Sequence, residues 1–275
     1  MVRRRMNQII IYLLVAIVLI IVLFPIYWMV TLSFKPPLEY ISRTPSLFPI
    51  KPTLSHYTSL WEHKFIRYLL NTTIISLSAT IISLITGFLA AYALVRFKFP
   101  AKFDRFFLLW VLVVKMVPPI TIAISLYVIL RATGLINTRL GLIAVYQVYT
   151  LPYCIWMLLG FVRDVPMEVE EAAAIDGASR LRILRSIVLP LVAPGLVATA
   201  IFSVIISWNE FIYALLFLRT PSVFTLPIHI ATYITEYEVL WGELMGIGLL
   251  SSLPILIFSG YVQKHLLRSF AMGLK

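Results

Sequence analysis

The chain has 275 residues, 61% of them hydrophobic and 13% charged, with a mean hydropathy of +0.96. Too few polar side chains remain to cover a soluble globule, so much of the surface is expected to face lipid. The net charge of +11 would suggest nucleic acid in a soluble domain, but here the basic residues follow membrane topology and no nucleic-acid partner is expected.

A hydrocarbon core about 30 Å thick takes roughly 20 apolar residues at 1.5 Å each. The first such run, Met6 to Phe34, follows Arg3, Arg4 and Arg5. It is too long for a signal peptide and carries no small-x-small cleavage site before Lys35, so it reads as a retained signal anchor. The outer loop that follows holds Pro36, Pro37, Pro45, Pro49 and Pro52 and predicts an extended connection with at most a short helix. Residues 1–67 thus form an N-terminal helix and outer loop. Five further runs belong to a core over residues 68–263: Tyr68 to Val95, Phe106 to Leu130, Leu140 to Val162, Ser186 to Asn209 and Leu244 to Gln263. Residues 264–275 make a tail. The fold class is an all-α membrane protein with six transmembrane helices.

Lys and Arg in alternate loops set the orientation. With the N-terminus inside, fourteen basic residues lie on the inner side and eight on the outer, and only Lys115 falls within a span. Both termini are therefore expected in the cytoplasm of a multi-pass cell-membrane protein.

Cys154 is the single cysteine, so no intrachain disulfide or thiolate cluster can form, and it reads as a small buried side chain. His56, His63, His229 and His265 lack metal-ligand spacing and read as surface or loop residues. No metal or cofactor site is expected in the chain.

Lys115 lies within the third span, where an ammonium at mid-membrane costs about 2.5–3.5 kcal/mol and calls for a partner or a wet cavity. Pro118 and Pro119 break the hydrogen-bond ladder just beyond it. Two readings stand side by side: Lys115 lines a translocation pathway, or it snorkels or pairs without meeting substrate. Glu210 and Asn209 are further pathway candidates at the outer part of the fifth span, and Trp208 beside them reads first as an interfacial anchor. The outer segment from Arg219 to Glu243, with Phe224, Tyr233, Tyr237, Trp241, Glu236 and Glu238, suits docking of an extracytoplasmic partner.

The longest inner loop runs from Arg163 to Ser186 and is rich in acids: Asp164, Glu168, Glu170, Glu171 and Asp176. Pro166 suits a first helical turn, Asp164 a cap and Gly177 a stop, predicting a helix of about three turns. Glu171, Ala172 and Ala173, then three residues, Gly177, nine residues, Ile187, one residue, and Leu189 with Pro190 resemble the "EAA" loop of ABC importer permeases over all twenty positions. This places the coupling loop at 163–190. The resemblance extends to Pro25-Ile26-Tyr27-Trp28, Asn71-Thr72, Ala90-Ala91-Tyr92-Ala93, Arg96-Phe97, Trp208-Asn209-Glu210-Phe211, Leu226-Pro227 and Trp241-Gly242, in the order of the sugar-uptake branch. The tail departs from it, with Ser269 where glycine is usual.

The resemblance implies a type I ABC importer permease for a sugar or oligosaccharide. Glu171, Ala172, Ala173, Gly177, Ile187, Leu189 and Pro190 then serve ATPase coupling. Its implied partners are two ABC ATPase subunits that bind ATP and Mg, a second permease, most simply a related chain, and an extracytoplasmic substrate-binding protein. None of the eleven glycines precedes a lysine, so a Gly-x-x-x-x-Gly-Lys phosphate loop is absent and the chain is not expected to be an enzyme. The alternatives are a permease for another small polar solute, or an ion-coupled carrier, which normally needs midplane carboxylates.

Overall fold

The computed structural model describes residues 2–40 and 46–273. Arg43 and Pro45 of the outer loop and Leu274 and Lys275 of the tail lie outside the described residues, as do the side chains of Arg3, Arg4, Arg5, Lys264, His265 and Arg268. In chain order the helices are α1 (Val2–Ser33), α2 (Pro37–Tyr40), α3 (Ser55–Glu62), α4 (Phe65–Arg96), α5 (Phe103–Met116), α6 (Pro119–Ala132), α7 (Arg139–Arg163), α8 (Met167–Ile175), α9 (Arg180–Ile183), α10 (Leu189–Trp208), α11 (Ile212–Phe217), α12 (Leu226–Ala231) and α13 (Trp241–Gly273). The only β pairing among the described residues is one antiparallel bridge between Ile234 and Val239.

Five helices are long and apolar enough to cross a membrane, and the bent pair α5 and α6 passes the same test when taken together, which has the form of a broken span or a re-entrant loop. The sequence predicted a hydrogen-bond ladder broken at Pro118 and Pro119, and the structure gives the break its size: the two halves meet at 101°. Consecutive prolines are the cause. A residue before proline is pushed out of the helical region, and Val117 (φ −72°, ψ 128°) and Pro118 (φ −57°, ψ 136°) are both extended. Pro119 then opens α6 at a position that needs no N–H donor.

The chain divides into two compact units, Met1–Ile66 with His229–Leu253, and Arg67–Ile228 with Pro254–Lys275. In the second unit α4, α7 and α10 pack around two apolar clusters. One, toward α6 and α11, holds Ile75, Tyr146, Tyr213 and Phe217; the other, toward α8, holds Phe88, Cys154, Leu158, Val162 and Ile183. Close approach at the second depends on Gly87, where a Cβ would come within 2.8 Å of the Cys154 Cβ on α7. Cys154 is buried and free, as its apolar surroundings in the sequence predicted.

Between these clusters runs a polar seam. The Ser83 hydroxyl donates to the Gln147 Oε1 at 2.6 Å and pairs with the Thr150 hydroxyl at 2.6 Å, while Ser203 reaches Thr80 at 3.3 Å. In lipid such inter-helix bonds are worth about 0.6–2 kcal/mol each and replace the hydrophobic drive that lipid cannot supply.

In the first unit α1 presents an apolar stretch, Asn7–Ser33, that is exposed from Asn7 to Ile26 and buried at its end, at Thr31 and Ser33. The loop behind it is more structured than predicted, with α2 and α3 joined to Lys35 through polar contacts. Lys35 is buried: its Nζ donates to the Ser46 carbonyl and lies 4.8 Å from the Trp28 ring. His56 is also buried, which corrects its reading as a surface residue. Acceptors surround its ring: Nδ1 lies 3.1 Å from the Glu243 carboxylate and Nε2 2.8 Å from the Lys35 carbonyl.

Candidate functional site

The segment between α7 and α10 forms a short helix–turn–helix. Asp164 ends α7 as its C-cap, and Pro166 precedes α8 without entering its first turn, so neither opens α8 as the sequence predicted. The helix is also shorter than expected, at nine residues. It stops where Gly177 turns the chain at φ +83°, a conformation that costs any Cβ-bearing residue. Ser179 then caps α9, its Oγ accepting from the Arg182 N–H.

Nine residues are too few for a stable isolated helix in water, so α8 is held by tertiary contacts. Beside the apolar packing of Ala173, Glu170 supplies the polar ones. It is 5% exposed, accepts from Arg96 Nε at 2.6 Å and from the Tyr92 hydroxyl at 2.8 Å. Arg96 also donates through a terminal guanidinium nitrogen to the Val162 carbonyl at 3.2 Å and the Val165 carbonyl at 2.7 Å. This one guanidinium thus ties α4, the end of α7 and α8 together. Beside it Arg180 lies 5.4 Å from the Phe97 ring.

The opposite face of α8 is open. Glu171 and Ala172 are exposed, Ala173 is half-buried against the inner apolar cluster, and Gly177 is exposed. Exposed apolar side chains surround them: Ile175 at 87%, Leu181 at 72%, Met167 at 45% and Val169 at 41%. Such a patch outside the spans, rimmed by charge, has the composition of a protein-docking surface.

Ile187, Leu189 and Pro190 sit at the start of the fifth span, away from that face. Here the backbone forms a π turn over Leu184–Val188. Pro190 has no N–H and its ring crowds the carbonyl four residues back, so the widened turn accommodates it.

At the bend between α5 and α6 a cavity of about 220 Å³ opens, bounded also by α7, α10 and α11. Lys115 and Glu210 both line it, with Tyr149 and Tyr213 stacked at 6.0 Å. Lys115 Nζ lies 5.4 Å from the Tyr153 ring, and among the described residues no carboxylate is within ion-pair distance of it. Glu210 is engaged elsewhere: its oxygens accept the Tyr213 and Ala214 N–H groups at 2.8 and 3.1 Å and so cap α11. Asn209 is exposed, donates to the Ile205 carbonyl at 2.8 Å and does not line the cavity. Trp208 is 6% exposed, which corrects its reading as an interfacial anchor: it is enclosed by protein.

The outer segment divides between the units. In the second, Asn71 donates to the Ser222 and Phe224 carbonyls, and the Leu226 N–H donates to Thr72. In the first, Tyr237 is 96% exposed while His229 is buried, which corrects its reading as a surface residue. Burial, with the His63 charge adding, lowers the His229 pKa from the usual 6.5 to about 4. The Tyr40 hydroxyl is pushed well above its ordinary range by burial, with Glu243 and Glu39 adding.

Sequence reasoning singled out Glu171 and missed the clamp at Glu170. The one local hint is that Tyr92 and Arg96, four apart, share one face of α4; nothing local pairs that face with a residue 74 positions on.

Comparison with known proteins agrees with this arrangement. The profile of the family described as binding-protein-dependent transport system inner membrane component matches residues 83–271. The diacetylchitobiose uptake system permease protein DasC of Streptomyces coelicolor is 34% identical over 94% of each chain. The trehalose/maltose transport system permease protein MalG of Thermococcus litoralis is 34% identical, over 92% of this chain and 91% of that one. Among solved structures, a chain of a bacterial ABC transporter involved in importing the acidic polysaccharide alginate superposes with a TM-score of 0.78. It covers 94% of this chain and 96% of that chain at 21% identity, a likeness of fold.

Proposed function

The chain belongs to the binding-protein-dependent transport system inner membrane components, and on that premise we propose that it is a permease subunit importing a sugar or oligosaccharide at the expense of ATP. The observation that carries the reading is α8 itself, held rigidly from within by Glu170 and open outward through Glu171, Ala172 and an apolar patch. Of two ATPase subunits, which bind ATP and Mg, one seats its cleft on this face and the other serves the second permease. Their closure displaces α8 and with it the ends of α4 and α7. A second permease completes the pathway, and a substrate-binding protein delivers solute to the outer segment, where Tyr237 stands exposed.

The named relatives favour a saccharide, one being a diacetylchitobiose and another a trehalose/maltose permease. The cavity at the broken span suits such a cargo, since Lys115 can donate to ring and hydroxyl oxygens and the tyrosine walls offer apolar faces to a sugar ring. An ion-coupled carrier is disfavoured because the Glu210 carboxylate is taken up by backbone N–H groups. The excess of Lys and Arg on one side of the spans supports an orientation with the coupling loop and both termini in the cytoplasm.

Purification of the tagged chain in mild detergent tests this reading. ABC ATPase subunits are expected to copurify, and Ala172→Leu is expected to release them. In right-side-out vesicles, an impermeant thiol reagent should label Ser222→Cys and spare Ser179→Cys. Absence of an ATPase from the wild-type preparation, together with outside labelling at Ser179→Cys, overturns the assignment.

A further inference from the structure

We propose that Arg96, Tyr92 and Glu170 are positioning residues that form the mechanical link between the docking helix and the membrane spans; this rests on the importer reading above. An ATPase that pulls on α8 does work on transport only if α8 cannot slide on the helices behind it. Apolar contacts resist separation but yield to shear, because one methyl contact is readily exchanged for another. Hydrogen-bonded ion pairs are directional and do not exchange in this way.

The geometry places such bonds at the middle of α8. Glu170 uses one carboxylate oxygen for Arg96 Nε and the other for the Tyr92 hydroxyl, so both its oxygens are fixed to α4. Tyr92 and Arg96 lie in the last turns of α4, and the Arg96 guanidinium continues to the carbonyls of Val162 and Val165, at the end of α7 and in the link to α8. Four bonds therefore join three chain segments through two side chains that are nearly enclosed, Arg96 at 10% and Glu170 at 6% exposure. Burial shields the pair from water and salt, so it holds while the outer face of α8 is engaged. The neighbouring acids divide the labour: Glu171 faces the partner and Glu170 grips the membrane helices.

The experiment uses the complete transporter reconstituted in proteoliposomes and reads solute taken up per ATP hydrolysed. Glu170→Ala and Arg96→Met are expected to retain bound ATPase and hydrolysis while lowering that ratio by about tenfold, within the range single residues on a coupling path produce. Glu170→Gln keeps one acceptor oxygen for Arg96 and can donate through its amide to the Tyr92 hydroxyl, and is expected to recover part of the loss. Should the alanine and methionine variants fail to assemble, Tyr92→Phe, which removes one hydroxyl, carries the test through a smaller fall in the same ratio. An unchanged ratio, or a fall in uptake fully matched by loss of ATPase, overturns the link. Wild-type transporter that shows no ATP-dependent uptake overturns the importer reading itself, a result distinct from either.

Discussion

Glu170 and Glu171 are neighbours in sequence that α8 points about 100° apart, Glu170 being 5% exposed and bonded to Arg96 while Glu171 stands in solvent. Only Glu171 is free to meet a basic group on a partner. Glu171→Arg reverses that charge without touching the interior. Stability of the purified chain should change by less than about 0.5 kcal/mol, the usual limit for a surface substitution, while pull-down of the ATPase falls. Wild-type retention in this variant would remove Glu171 from the docking contact.

The two alanines that follow are separable in the same way. Ala172 is exposed, so Ala172→Leu should leave thermal stability intact and block docking by bulk alone. Ala173 packs on the inner apolar cluster, so Ala173→Leu should cost about 1–3 kcal/mol by overpacking. At Gly177 no atom lies within 4 Å of an added Cβ, so the cost there is conformational. Gly177→Val should lose roughly 1–2 kcal/mol, and Gly177→Asn should be better tolerated because asparagine visits positive φ more readily. Equal melting temperatures for both Gly177 variants would contradict this account of the turn.

Lys115 and Glu210 share a cavity but differ in what holds them. Lys115→Met should alter the apparent affinity for solute, leaving ATPase retention unchanged, because the docking helix belongs to another part of the fold. Glu210→Ala removes the cap of α11 and should destabilise by about 0.5–2 kcal/mol. Transport kinetics identical to wild type in Lys115→Met would leave the residue a structural role.

His229 gives the outer segment a pH dependence. Its folded pKa lies below the unfolded value, so the unfolded state binds more protons between the two and stability falls as pH drops. The loss begins near the usual 6.5 and is complete below about 4. Hydrogen exchange across residues 226–241 should quicken over that window, and His229→Gln should flatten the profile. Exchange rates with the same pH slope in both proteins would exclude His229 as the source.

Much of this architecture is legible in the chain because lipid imposes length. Charge-free runs mark five spans, and Gly177 marks the turn that ends the short helix between α7 and α10. What stays hidden is set by tertiary contact. Pro118 and Pro119 announce a break but not a 101° bend, since the angle depends on what α6 packs against. His56 and Lys35 look exposed in a proline-rich loop, yet both are buried, Lys35 donating to the Ser46 carbonyl and His56 Nε2 lying against the Lys35 carbonyl. The Glu170 clamp joins residues 74 apart, a distance at which local pattern carries no information.

The central claim is that solute movement through this chain is driven by ATP closing a partner on α8. The most direct measurement is saccharide uptake into proteoliposomes holding the complete transporter, with its binding protein outside and ATP enclosed. Uptake should require ATP and Mg, persist when proton and sodium gradients are collapsed, and disappear in Ala172→Leu while the chain remains folded. Uptake that proceeds without ATP and stops when the ion gradients are removed would contradict the account.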